Sequence, residues 1–152
     1  MGRRAFTLID LTVVLVMSAI IAAIALPRYA NATANFRLAQ AANRVAADVA
    51  LAQWTGKSTS AAAGLTVTFD LATNTYALPG VAGTAGPGST YAVALSADPY
   101  DATIVSASFG GVPTVTFDRY GQPSSGGTVV LAVGGVQKTI TVDGTSGKAS
   151  IQ

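Results

Sequence analysis

The sequence predicts an α+β chain: a long N-terminal helix, its first half transmembrane and kinked near Pro27, packed on a C-terminal antiparallel β-domain. Three observations predict it. No residue between Asp10 and Arg28 carries a charge, and the 21 residues from Phe6 to Leu26 contain one acid. From Arg28 to Trp54 there is neither Pro nor Gly, and apolar residues recur at helical steps. Beyond Ser58, short runs rich in Thr, Val, Phe and Tyr alternate with polar residues and are separated by Gly, Pro and Asp.

Composition bounds the rest. At 152 residues the chain is one small domain, or one domain with an appendage. Half of it is hydrophobic and only 11% is charged, which excludes a disordered chain. The absence of Cys and His excludes disulfides, thiol catalysis, most zinc sites and any triad with an imidazole base. Nine Lys and Arg against seven Asp, with no Glu, give a formal charge of +2.

The N-terminal segment comes first. A helix of 21 residues spans about 30 Å, the thickness of a bilayer core. Arg3 and Arg4 precede it, which predicts a cytoplasmic N-terminus and a translocated C-terminal part. A secretory signal peptide is the alternative, with Ala23-Ile24-Ala25 as its small-x-small cleavage site. Asp10 argues against that alternative, since a carboxylate in an apolar span costs up to about 2.5–3.5 kcal/mol and a signal peptide has no use for it.

Next is the stem. Leu38, Ala42, Val45, Val49 and Ala52 fall at steps of four, three, four and three, one face of a helix. Arg37, Gln40, Arg44 and Asp48 are expected largely off that face. Gly56 fits a C-terminal cap and residues 58–60 a loop, so one helix is expected from about Phe6 to Thr55. The expected organisation is a leader over 1–5, a membrane or core helix over 6–27, an amphipathic stem over 28–57 and a β-rich head over 58–152.

In the head, Leu65–Phe69 alternates, residues 70–74 supply a turn, and Thr75–Leu78 returns. Residues 79–89 read as a flexible surface loop. Tyr91–Leu95, Thr103–Phe109 and Thr114–Phe117 are further strands. Residues 128–133 and 136–142, joined by Gly134-Gly135, read as a hairpin with a two-residue turn. Residues 148–151 form a short last strand. Thr-Val-Thr-Phe-Asp occurs twice, at 66–70 and 114–118.

The run Arg3-Arg4-Ala5-Phe6-Thr7-Leu8-Ile9-Asp10-Leu11, followed by an apolar helix, resembles the leader of type IV pilins and type II secretion pseudopilins. The resemblance implies cleavage between Ala5 and Phe6 by prepilin peptidase, with N-methylation of Phe6. It implies that Asp10, four residues after Phe6, pairs with the N-terminal amine of a neighbouring subunit, and that Pro27, 21 positions after Phe6, is the helix-kinking proline. Ala5 stands where the family prefers Gly, and Asp10 where it prefers Glu. The tail, with Phe117-Asp118-Arg119-Tyr120-Gly121 and a closing Gly147-Lys148-Ala149-Ser150, resembles the H-type minor pseudopilin and FimT-type minor pilin family. Lys148 is a conservative match to the first closing Arg of that family, and Ser150 stands at the second.

This resemblance implies a structural subunit, not an enzyme and without cofactor. Its implied partners are the peptidase, inner-membrane lipid and other pilins or pseudopilins in a filament. It is expected in a bacterial inner membrane as a single-pass protein, with the C-terminal domain periplasmic. The alternative is a FimT-like minor pilin that binds DNA through Lys148. Three cations against five acids after Ser58 give that region a charge of −2, a poor footprint for nucleic acid. A secreted β-domain released by signal peptidase is a third possibility.

Other chemistry is thin. Lys57-Ser58 is the nearest nucleophile–base pair, and a loop explains it better. Asp98-Pro99-Tyr100-Asp101 offers two carboxylates where calcium needs six to eight oxygens, so no metal site is expected. Removal of residues 1–5 leaves seven cations and seven acids, so the excess positive charge is a topology signal.

Overall fold

The computed structural model describes residues 8–58, 64–83 and 89–152. One helix, α1 (Leu8–Ser58), precedes eight strands: β1 (Leu65–Asp70), β2 (Thr75–Ala82), β3 (Thr90–Ala94), β4 (Thr103–Phe109), β5 (Thr114–Phe117), β6 (Gly127–Val133), β7 (Val136–Val142) and β8 (Ala149–Ile151). The expected leader and cleavage site at Ala5 and Phe6 lie outside the described residues. The chain divides into two units, residues 1–33 and 34–152.

In the first unit, every residue from Leu8 to Ala32 is helical and exposed. Asp10 stands in the first turn, where a carboxylate complements the helix dipole. Pro27 lies inside the helix and has no N–H, so the Ala23 carbonyl lacks its intrahelical donor. The hydroxyls of Thr12 and Ser18 donate back to the carbonyls of Ile9 and Val14, at 2.9 and 2.8 Å. Both polar side chains are thereby satisfied within the helix.

Among the described residues, every buried hydrophobic residue is Ala34 or later, in the second unit. The stem stripe is as expected, with Leu38, Ala42, Val45, Val49 and Ala52 buried against residues of two sheets. The sheets have four strands each, in the orders β3-β2-β1-β5 and β4-β6-β7-β8, and all pairings are antiparallel. Alternation in β1 buries Leu65, Val67 and Phe69. The Phe69 ring stacks on Phe109 of the other sheet, with centroids 5.8 Å apart. The two copies of Thr-Val-Thr-Phe pair with each other as β1 and β5, Thr66 opposite Thr116 and Thr68 opposite Thr114. The Thr66 and Thr116 hydroxyls are hydrogen-bonded at 2.9 Å. Gly134 and Gly135, both at positive φ, make the tight turn between β6 and β7.

Three expectations are corrected. Residues 79–82 belong to β2 rather than to a loop; the pairing with β3 is irregular between Leu78 and Ala82 and resumes at Ala82 opposite Thr90. A bulge is where a strand tolerates Pro79, which has no N–H for the ladder. Gly56 is not a cap, because the helix runs on to Ser58, which also places Lys57 and Ser58 in its last turn. Gly56 is buried, and a Cβ there would lie 3.1 Å from the Phe117 and Asp118 carbonyl oxygens. The glycine therefore permits a close approach of helix to strand end. Asp48 is not off the packed face but buried in it.

Candidate functional site

The apolar half of α1 is long and apolar enough to cross a membrane, and it lies near the N-terminus. Twelve large hydrophobic residues between Leu8 and Leu26 are exposed. Burying a Leu, Ile or Val side chain is worth about 1.5–3 kcal/mol, so covering this half-exposed set stabilises by on the order of 10–20 kcal/mol. Asp10 is exposed on this helix near its start, and Pro27 follows the apolar run.

The second feature was not anticipated from the sequence. The Asp48 carboxylate, in a residue only 6% exposed, accepts at Oδ2 from the Tyr76 hydroxyl, from the Tyr91 hydroxyl at 2.8 Å and from Arg44 Nε at 3.1 Å. Arg44 also donates from Nη2 to the Tyr91 hydroxyl. Burial, then the bond to Asp48, pushes the Tyr76 hydroxyl well above its ordinary range. Burial likewise raises Tyr91, and the bond to Tyr91 followed by the Asp48 charge raises Arg44. Helix, β2 and β3 thus meet on one carboxylate oxygen. With three structural donors converging on Oδ2, the cluster pins strands to the stem. The signal available in the sequence was position: residue 48 lies three after Val45 and four before Ala52, on the stripe itself.

The tail motif forms the third feature. Phe117 is buried, and Asp118 Oδ1 accepts from the backbone N–H groups of Tyr120 and Gln122, both at 2.8 Å. Asp143 Oδ1 accepts from the Ser146 N–H, the Ser146 hydroxyl and the Thr145 N–H, and these bonds hold its carboxyl below the ordinary range. Gln53 Nε2 donates to the Gly121 carbonyl at 2.8 Å and the Ser146 carbonyl at 2.6 Å, tying both turns to the helix. Gly147, at φ 70°, packs so closely that a Cβ would meet Gln53 Nε2 at 2.7 Å and the Gly121 oxygen at 2.9 Å. The Lys57 side chain lies over Gly121, and the Arg119 guanidinium stacks 4.9 Å from the Tyr120 ring centroid. Lys148 follows Gly147 directly and is exposed, so the structure gathers Lys57, Arg119 and the expected Lys148 at one end of the unit.

Asp98 and Asp101 sit in a turn after β3, and Asp101 is ion-paired with Arg37. Among the described residues, no three acids, His or Cys group as metal ligands. Comparison with family models, curated proteins and solved structures finds no match to this chain.

Proposed function

We propose that the chain is a structural subunit, of the minor kind, of a type II secretion pseudopilus or a type IV pilus. In this reading prepilin peptidase cuts between Ala5 and Phe6, Phe6 is N-methylated, and the span holds the subunit in the inner membrane with its N-terminus cytoplasmic. Assembly then transfers the apolar helix from lipid to the helices of neighbouring subunits. The observation that carries the reading is the exposed, apolar helix bearing Asp10 near its start and Pro27 at its close, in one chain with a unit that has its own core. Such a helix needs cover on all sides, which lipid and a bundle of like helices both provide. Ala19, Ala22 and Ala23 permit close helix approach. Asp10 favours a cationic partner in a medium that penalises a lone charge, and the new amine of a neighbouring Phe6 is one. Mass spectrometry of membrane-extracted protein tests this: the expected N-terminus is methylated Phe6. An intact Met1, or a first residue after Ala25, overturns it.

Nucleic-acid binding is the second reading. The gathering of Lys57, Arg119 and Lys148 favours it, and the charge of −2 after Ser58 stands against it.

A further inference from the structure

The two sheets have four edge strands, β3 and β5 in one and β4 and β8 in the other. An edge offers unpaired N–H and C=O groups, and natural sheets blunt it with a bulge, a charge, a Pro, short length or a covering segment. Three of these edges are blunted. β5 is covered by the chain that follows it, with Ser124 N–H donating to the Thr116 carbonyl at 2.8 Å and Phe117 bridged to Pro123. β4 is bulged between Ile104 and Ser106, and its Ile104 N–H donates to Asn74 Oδ1. β8 is three residues long. The fourth edge, β3, reads Thr-Tyr-Ala-Val-Ala, with neither charge nor Pro. It stays in register with β2 from Tyr91 to Ala94. Leu95 N–H donates to the Asn74 carbonyl, which sets the phase of the ladder. Bonded pairs alternate along antiparallel strands, so Tyr91 and Val93 turn their backbone groups to β2. Those of Ala92 and Ala94 turn away from it, and among the described residues no hydrogen bond reaches them. Both residues are exposed.

The inward side of this edge has its own chemistry. Tyr91 and Val93 are half-buried and pack on the core. Beside Tyr91 stands Arg44, its guanidinium 5.9 Å from the ring centroid and its side chain 44% exposed. Arg44 Nε donates to Asp48 and Nη2 to the Tyr91 hydroxyl, and among the described residues no group bonds Nη1. A guanidinium carries five N–H donors in a planar fork, and a carboxylate is the acceptor that matches it. We propose that β3 is a docking edge for an extended segment of another protein, which adds antiparallel as a fifth strand of that sheet. The segment places an apolar side chain level with Val93 and, two residues later, a carboxylate level with Tyr91 that accepts from Arg44. Backbone bonds to Ala92 and Ala94 hold it, and its alternate side chains select it. A second copy of β3 brings no carboxylate to Arg44, so it is the poorer occupant. The edge lies wholly within residues 34–152 and does not depend on the filament reading.

The probe is a fluorescently labelled peptide, Thr-Val-Thr-Val-Thr-Glu-Thr, capped at both ends and titrated by anisotropy into the full-length protein in detergent micelles. Its two Val and its Glu share one face. Saturable binding is expected below about 1 mM, with slowed hydrogen exchange at the Ala92 and Ala94 amides and no change at Ser150 in β8. N-methylation of either Thr that flanks the second Val removes a backbone bond and weakens binding by about ten-fold. N-methylation of that Val, whose N–H faces away from β3, leaves binding within about two-fold. Replacing the Glu with Gln weakens it about 1.5- to 5-fold, the scale of a part-exposed charged pair. In the protein, Ala92→Pro removes an outward N–H without touching the β2 ladder, and abolishes binding. No saturation by about 1 mM, protection of another edge in place of β3, or equal loss from N-methylation of Thr and of Val overturns the proposal. So does concentration-dependent protection of Ala92 and Ala94 without peptide, which marks a second copy as the occupant. None of these outcomes touches the filament reading, which the mature N-terminus decides.

Discussion

Replacement of Asp48 by Ala tests the energetic weight of the polar cluster. Three donors converge on Asp48 Oδ2, and they do not lose equally. Tyr76 is 1% exposed, so its hydroxyl is left buried without an acceptor. An orphaned buried donor costs about 1–3 kcal/mol, with the upper part applying where the lost partner was charged. The Arg44 side chain is 44% exposed and returns to water, so its share is discounted to that of a surface pair, about 0–1 kcal/mol. Tyr91 is half-buried and keeps its bond from Arg44. Together these place Asp48→Ala at about 2–4 kcal/mol. Tyr76→Phe removes one bond and costs about 1 kcal/mol. Combined, the two cost less than their sum by about 1 kcal/mol or more, because Tyr76→Phe takes away the hydroxyl that Asp48→Ala would orphan. Denaturant unfolding of the full chain in micelles, followed by near-ultraviolet circular dichroism of the buried tyrosines, measures all three. A loss under about 0.5 kcal/mol for Asp48→Ala, or strict additivity in the double variant, refutes the reasoning.

Other predictions concern backbone and pH. Gly64→Ala, at φ 66°, drives a Cβ into the Phe117 carbonyl oxygen, whereas Gly135→Ala, at φ 85°, meets nothing within 4 Å. The second should cost only the left-handed penalty of about 1–2 kcal/mol, and the first clearly more, as measured by the same unfolding midpoint. With neither His nor Glu, no side chain of ordinary pKa titrates between about pH 5 and pH 9, so thermal midpoints should stay level across that window. Above it, stability falls. The raised Tyr76 hydroxyl keeps its proton in the folded state while the unfolded phenol releases one near 10, so its contribution is complete below pH 10 and is lost as pH rises beyond. Asp70 and Asp143 act at the acid end, stabilising above the ordinary carboxyl value of 3.8 and losing that contribution as pH falls through their lowered values.

Much of this architecture was legible because local pattern and burial agree. Strict alternation at residues 65–69 and a Gly-Gly pair between two apolar runs leave few arrangements for β1, β6 and β7. The stem stripe was legible for the same reason. What was missed depends on partners far along the chain. Asp48 reads as a solvated charge until Tyr76 and Tyr91, 28 and 43 residues away, supply its donors. Gly56 reads as a stop signal, yet its lack of a side chain serves the approach of residues 117–118. Residues 79–89 read as a loop, and the bulge that lets β2 run on past Pro79 is a property of the pairing with β3. The repeated Thr-Val-Thr-Phe was visible, but nothing local says that the copies lie side by side. At the site, Lys148 was expected from the tail motif. Its company, Lys57 and Arg119, follows from Gln53 joining two turns that are separate in sequence.

The stem also fixes how the second unit bears mechanical load. Its buried residues run from Ala34 to Gly56 and share one apolar cluster with residues of both sheets. A pull along the helix from its N-terminal side therefore loads those contacts together in shear, with Asp48 and Gln53 as polar rivets near the middle and far end. Forced unfolding is governed by the unfolding rate, so that rate is where this arrangement is read. A tether built this way transmits tension along its axis while the strands behind it stay folded.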